Sequence, residues 1–367
     1  MERTDLMPFW FGEPDQPTAD YIRAAAVDAL NKGQTFYAQT LGMPVLRAAL
    51  SAYLCRLHDK TLAEDRIAVT ASGTSSLMIA MQALINPGDR VTAVTPVWPN
   101  LVEMPKLLGA SVTTVALEFG DQGWQLDEQR LLDALPPGTR ALIINSPNNP
   151  TGWAASRALQ ERLLEHCRRH GIWIIADDVY QRVYYDGPSA PSFLDLTGPD
   201  DLVISCNSFS KAWRMTGWRL GWLVAPAGML SSISKLIEFN TTCSPIFVQL
   251  AGKAALEQGE PDIEKDTTRL RRGRDALEAG LKTIPGIRVP GAPQGAMYTF
   301  FRAEKAADSL AFCKQLLVRT GLGLAPGLAF GQEGEGYLRW CYASEPDRIR
   351  NGLDRLAAFM NTMETGR

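Results

Sequence analysis

Four clusters of polar residues each follow a short apolar run. They are Ser72-Gly-Thr-Ser-Ser76, Asn148-Asn-Pro-Thr-Gly152, Asp177-Asp-Val-Tyr180 and Ser208-Phe-Ser-Lys211, with Arg219 beyond the last. Open α/β sheets bind ligands outside the carboxyl ends of their strands, so polar residues placed there are the first candidates for chemistry. A lysine beside another cation and shielded from water has its pKa lowered and becomes an amine nucleophile, a role open to Lys211. Asp177 ends an apolar strand, and a carboxylate buried there needs a cationic partner. The first cluster, at the start of a helix, offers free N–H groups and a positive dipole end to an anion. Each feature has a plainer reading: a surface lysine in a turn, a structural salt bridge or cap, and an ordinary helix N-cap.

Other motifs lead nowhere. Neither G-x-x-x-x-G-K nor G-x-G-x-x-G occurs, so the small-residue loop is no nucleotide fingerprint. Ser208-x-x-Lys211 matches the S-x-x-K of β-lactam-recognising hydrolases, but the companion S-D-N and K-T-G motifs are missing. His166 and His170 share a helix face without the glutamate of a zinc H-E-x-x-H motif, and they read as solvated residues. No metal site is expected.

The elements that must position these clusters alternate between short β-branched runs and helix-period segments. Strands are predicted at 67–70, 90–95, 111–115, 140–145, 172–177, 201–206 and 219–224, with helices at 77–85, up to 108, at 127–135 and at 156–170, the last capped by Ser156. Near-continuous apolar strands separated by helices imply an α/β fold whose mostly parallel sheet is covered by helices on both faces. After Ala227 long charged helices run to Lys282, and the basic run Arg269-Leu-Arg-Arg-Gly-Arg274 reads as a solvated helix face rather than an anion patch. Beyond Pro285, strands at 297–301 and 337–342 and helices from Ser309 and at the C-terminus describe a smaller α+β unit. The expected division is a large domain over 36–260 and a small domain made of 1–35 and 261–367.

Composition fits a soluble globular protein with reduced cysteines. Lys plus Arg number 37 against 40 Asp plus Glu, a net charge of −3. So balanced a surface has no global field for gripping phosphate backbones, and no nucleic-acid partner is expected. The six cysteines are scattered with no C-x-x-C pair, as in a cytoplasmic protein with free thiols. The apolar run Leu6–Phe11, preceded by charges at Glu2, Arg3 and Asp5, is too short for a signal segment. The uncharged stretch 67–88 holds too many Ser, Thr and Asn residues to span a membrane and reads as buried strand, loop and helix.

Taken in order, the four clusters resemble the fold-type I pyridoxal-phosphate enzymes, specifically the class I/II aminotransferases related to aspartate aminotransferase. The resemblance runs from Gly12-Glu-Pro-Asp15 to Tyr337-Leu-Arg339 and is strongest at Asn148–Gly152 and Ser208–Arg219. It implies that Lys211 bonds covalently to pyridoxal 5′-phosphate and that Asp177 faces the pyridine nitrogen, keeping the ring an electron sink. It pairs Tyr180 and Asn149 on the ring's 3′ oxygen. Ser72, Gly73, Thr74, Ser208 and Arg219 would hold the phosphate, and Trp98 would stack on the ring. Arg339 would clamp the substrate carboxylate, with Asn149 beside it and the Gly12 segment closing over the site. Tyr37 resembles a tyrosine that reaches the phosphate of a partner subunit, which implies a homodimer with shared active sites.

Asp178 stands where the family more often has glutamate. No second arginine for a distal carboxylate can be placed, and Trp10, Phe11 and Trp98 suggest an apolar or aromatic substrate pocket. Trp10 and Phe11 fit N-terminal packing anchors equally well. The expected activity is amino-group exchange between an L-amino acid and a 2-oxo acid by a ping-pong mechanism. A carbon–sulfur β-lyase, a racemase or a decarboxylase on the same scaffold is the alternative.

Overall fold

The structure, a computed structural model, describes residues 5–120 and 122–364; the charges at Glu2 and Arg3 lie outside it. A seven-stranded sheet forms the centre. Its spatial order is Ile67–Thr70, Gly221–Val224, Val203–Ser208, Trp173–Asp177, Thr139–Asn145, Arg90–Thr95 and Ser111–Ala116. Five neighbouring strands run parallel, while Gly221–Val224 is antiparallel to both its neighbours. The interior strands are buried on both faces, as their Val/Ile-rich runs require.

That one reversed strand positions part of the site. Parallel strands deliver their last residues, Asn145, Asp177 and Ser208, to one edge of the sheet. Gly221 begins its strand opposite both Ser208 and Thr70. Residues just before it, Arg219 included, therefore reach the same edge from the other chain direction.

Helices Gly73–Leu84 and Leu230–Thr241 pack on one face of the sheet, and Arg157–His170 lies on the other. Ser72 caps the first of these by accepting from the Ser75 N–H at 2.9 Å. That cap starts the helix four residues before the predicted position, although Gly73–Ser76 are weak helix formers. Ser156 caps the third helix as expected, accepting from Leu159 N–H at 3.2 Å.

A second sheet of four strands combines Ile287–Arg288, Tyr298–Ala303, Tyr337–Cys341 and Ala325–Pro326. Helices Glu260–Leu281, Ser309–Thr320 and Pro346–Glu364 share its core, and Met7 and Phe9 join the same cluster. The basic run is the predicted solvated face only in part: Arg271 and Arg272 are exposed, whereas Arg269 and Arg274 are largely covered. Arg269 pairs with Asp15 and Glu345, Arg271 donates to the Tyr185 carbonyl, and Arg274 lies 4.6 Å above the Tyr185 ring. Long arginine stems reach acceptors across the groove that a pattern of charge alone cannot locate. His166 is likewise tied, its Nε2 lying 2.9 Å from the Leu135 carbonyl. All six cysteines are free thiols. No described helix is long and apolar enough to cross a membrane.

Candidate active site

A cleft of about 320 Å³ opens at the carboxyl edge of the central sheet, against the strands Tyr298–Ala303 and Tyr337–Cys341. Gly12, Gly73, Thr74, Trp98, Asn149, Asp177, Tyr180, Ser208, Lys211, Arg219 and Arg339 all line it. The structure thus gathers eleven sequence-picked residues from across the chain. Ser72 stands just behind the lining as the helix cap. Tyr37 does not reach the cleft of its own chain and is 87% exposed.

At one end, helix Gly73–Leu84 points its N-terminus into the cleft. The first-turn N–H groups of Gly73 and Thr74 have no intrahelical acceptor, and the dipole favours an anion there. The backbone is packed tightly: a Cβ on Gly73 would fall 2.8 Å from the Ser208 Cβ. Ser208 Oγ lies 2.9 Å from Ser210 Oγ, and Arg219 occupies a left-handed backbone conformation (φ 53°). Its guanidinium donates to the Thr216 carbonyl at 2.6 Å and pairs with no carboxylate among the described residues.

Asp177 forms the floor. It accepts from the Val179 N–H at 3.3 Å and makes no ion pair among the described residues. Burial pushes its carboxyl up to about 7, only partly offset by that N–H and by Lys211. Asp178 turns the other way, into the protein, where its carboxylate accepts from Ser205 at 2.6 Å and Ser192 at 3.1 Å. Burial also drives the Lys211 amine down to about 8, with the Arg339 and Arg219 charges adding to the effect. In this arrangement Lys211 Nζ donates to the Gly12 carbonyl and lies 5.8 Å from the Tyr180 ring centre.

At the opposite end Arg339 is buried, donating to Asn149 Oδ1 at 2.9 Å and to the Trp10 carbonyl, while its Nε has no partner. Its guanidinium is sandwiched between the rings of Tyr298 (4.4 Å) and Phe330 (4.8 Å).

The sequence reading missed Asn145 and Tyr298. The Asn145 side chain donates to the Asp177 carbonyl at 3.1 Å and accepts from Asn149 N–H at 2.7 Å, tying two strand ends together. As the last residue of the RALIIN strand it stands at the informative edge, so its position was a usable signal. Tyr298 gave none, because it reads as one more core residue of an apolar strand.

These features fit pyridoxal phosphate. A small aromatic phosphate ester needs an anion cradle, an amine and a carboxylate for a ring N–H, and the cleft supplies each. The buried Asp177 is the most specific of them, because no ion pair among the described residues compensates it and the Val179 N–H and Lys211 offset its burial only in part. No group of metal-ligating side chains occurs among the described residues.

The fold and cleft are those of an aminotransferase. Residues 4–356 match the family model described as aminotransferase class I and II, and the chain belongs to that family. It is 33% identical over 347 residues to the arginine–pyruvate transaminase of Pseudomonas aeruginosa, covering 94% of this chain and 88% of that one. Among solved structures, it superposes on Thermus thermophilus aspartate aminotransferase with a TM-score of 0.90 at 30% identity, covering 96% of this chain and 91% of the other. The aromatic aminotransferase of Pyrococcus horikoshii gives 0.92 at 29% identity, covering 99% and 97%.

Proposed function

We propose that this aminotransferase holds pyridoxal 5′-phosphate in the cleft and moves an amino group from an L-amino acid to a 2-oxo acid. The exchange runs in two half-reactions, the first product leaving before the acceptor binds. Asp177 carries this reading: a buried carboxylate with no ion-pair partner among the described residues, lining the same cleft as an amine whose pKa is lowered to about 8.

In this reading the helix end at Gly73 and Thr74, with Ser208 and Arg219, takes the phosphate. Asp177 accepts the ring N–H, Asn149 and Tyr180 bond the ring oxygen, and Trp98 covers the ring. Bound there, the cofactor supplies an aldehyde that captures amines and a ring that withdraws electrons from the attached carbon. Arg339 and Asn149 fix the substrate carboxylate, which orients Cα toward Lys211. The lysine amine, whose lowered pKa leaves a substantial neutral fraction near pH 8, takes the Cα proton at Nζ and returns it, a transfer that typically contributes roughly 10²–10⁴-fold. The Gly12 segment excludes water above it.

The cations lining the cleft, Lys211, Arg219 and Arg339, all have roles in this assignment. That supports a donor with an apolar or aromatic side chain over one with a second carboxylate. A second copy of the chain is proposed to cover Phe36, Tyr37 and Phe239, which are 80%, 87% and 81% exposed, with Tyr37 reaching the partner's phosphate site. Purified protein with cofactor, mixed with single amino acids, tests the proposal through its visible spectrum. Apolar and aromatic donors should bleach the band faster than aspartate. No change with any amino acid, or a clear preference for aspartate, would count against it.

A further inference from the structure

Tyr298 joins three parts of the cleft that the chain brings from distant places. It is 1% exposed and lies in the strand Tyr298–Ala303. Its hydroxyl is 2.6 Å from the Tyr180 hydroxyl. Its ring covers the Arg339 guanidinium at 4.4 Å, and a Cβ on Gly12 would lie 2.4 Å from its oxygen. The register explains the second contact. Arg339 stands directly opposite Phe300 and Cys341 opposite Tyr298, so Tyr298 and Arg339 are diagonal neighbours on one face of an antiparallel pair.

The proton count is informative. Two phenols carry two protons, and burial raises both pKa values, that of Tyr298 to about 12, so neither ionises near neutrality. One proton lies between the oxygens. If Tyr180 is to donate to a ligand in the cleft, that shared proton must come from Tyr298. A hydrogen bond received by a donor's own oxygen strengthens what the donor gives.

We propose that Tyr298 is a positioning residue: its hydroxyl donates to Tyr180, turning the Tyr180 proton into the cleft, while its ring holds the Arg339 guanidinium flat for a substrate carboxylate. The inference rests on the cofactor and residue roles proposed above. It assigns separate tasks to the two ends of one side chain, so two substitutions should separate them.

The test uses the cofactor-loaded protein and two readouts other than turnover: the pH midpoint of its visible band, and the calorimetric Kd for 3-phenylpropanoate, an unreactive monocarboxylate. Tyr298→Phe should move the midpoint upward by about half a unit or more, as losing one hydrogen bond does, and leave Kd within about twofold. Tyr298→Leu should move the midpoint similarly and also weaken Kd by about 5–30-fold. Tyr180→Phe shows that the midpoint reports on this hydroxyl. A Tyr298→Phe midpoint equal to the parent's, with Tyr180→Phe shifted, would overturn the hydroxyl role. A Tyr298→Leu Kd equal to the parent's, in a variant with native circular dichroism, would overturn the ring role. A parent protein with no visible band that titrates would instead refute the cofactor reading, which keeps the two failures apart.

Discussion

A Cβ placed on Gly221 would lie 2.5 Å from the backbone nitrogen of Gly73. The strand that re-enters the sheet and the helix that leaves it thus touch through bare backbone, beside the anion cradle. Gly221→Ala should push the helix N-terminus away from Ser208. The expected result is a loss of about 1–3 kcal/mol in urea unfolding, with weaker pyridoxal-phosphate binding by fluorescence titration. Unchanged cofactor affinity would mean that the cradle tolerates the displacement.

Lys211→Ala should fold normally, since the lysine side chain packs no core cluster, yet fail to turn over. Circular dichroism and a transamination assay with the amino-acid donor but no small amine that could replace the lysine check both halves. Borohydride reduction of the parent protein with cofactor should leave an adduct at Lys211 by peptide mass mapping, and a substantially active alanine variant would remove the lysine from the chemistry.

Arg339→Lys keeps the charge but loses the planar fork, the contact with Asn149 Oδ1 and the stack between Tyr298 and Phe330. KM for the amino acid should rise by roughly 10–100-fold, the cost of losing one of the two charge-assisted hydrogen bonds of the fork. The cofactor's affinity should stay unchanged. Steady-state kinetics with a direct cofactor titration distinguishes this from general damage.

Glu278 provides a test of stability far from the cleft. Its carboxyl is buried beside Thr299, which donates to it at 3.0 Å, and burial raises its pKa to about 7. Because the folded chain keeps this proton after the unfolded chain has lost it, the group's contribution declines from about pH 4.5 to pH 7 and is flat above. Glu278→Gln cannot ionise. Its stability relative to the parent should therefore rise by about 2 kcal/mol between pH 5 and pH 8. Urea unfolding at the two pH values measures the difference. A constant difference would mean that the carboxyl titrates normally.

The sequence revealed those parts of the site that break an expected pattern. Asp177 and Ser208 are polar residues at the ends of apolar strands, and Asn149 lies in a turn rich in Pro and Gly; each contrasts with its surroundings. Tyr298 and Phe330 contrast with nothing, since an aromatic in a core strand or a Gly-rich turn has an ordinary packing role, and only the tertiary approach to Arg339 gives them another. The strand at 90–95 was read with its observed bounds because Asn86-Pro-Gly precedes it and Pro96 follows. The Gly73 helix start was missed because its first turn is made of Gly, Thr and Ser, whose helical state depends on the Ser72 cap rather than on intrinsic preference. The tethering of Arg269 and Arg271 depends on Asp15 and Tyr185, residues remote in sequence that no local pattern can supply.

Ser208 and Gly221 face each other as ladder partners, so everything between them is a closed excursion whose two feet are pinned. Phe209, Trp213 and Met215 anchor that excursion in a buried core cluster, so reshaping its middle would disturb the scaffold together with the amine and the guanidinium that share the loop. In this architecture reactivity and stability hang on the same short stretch of chain, and neither is altered there without the other.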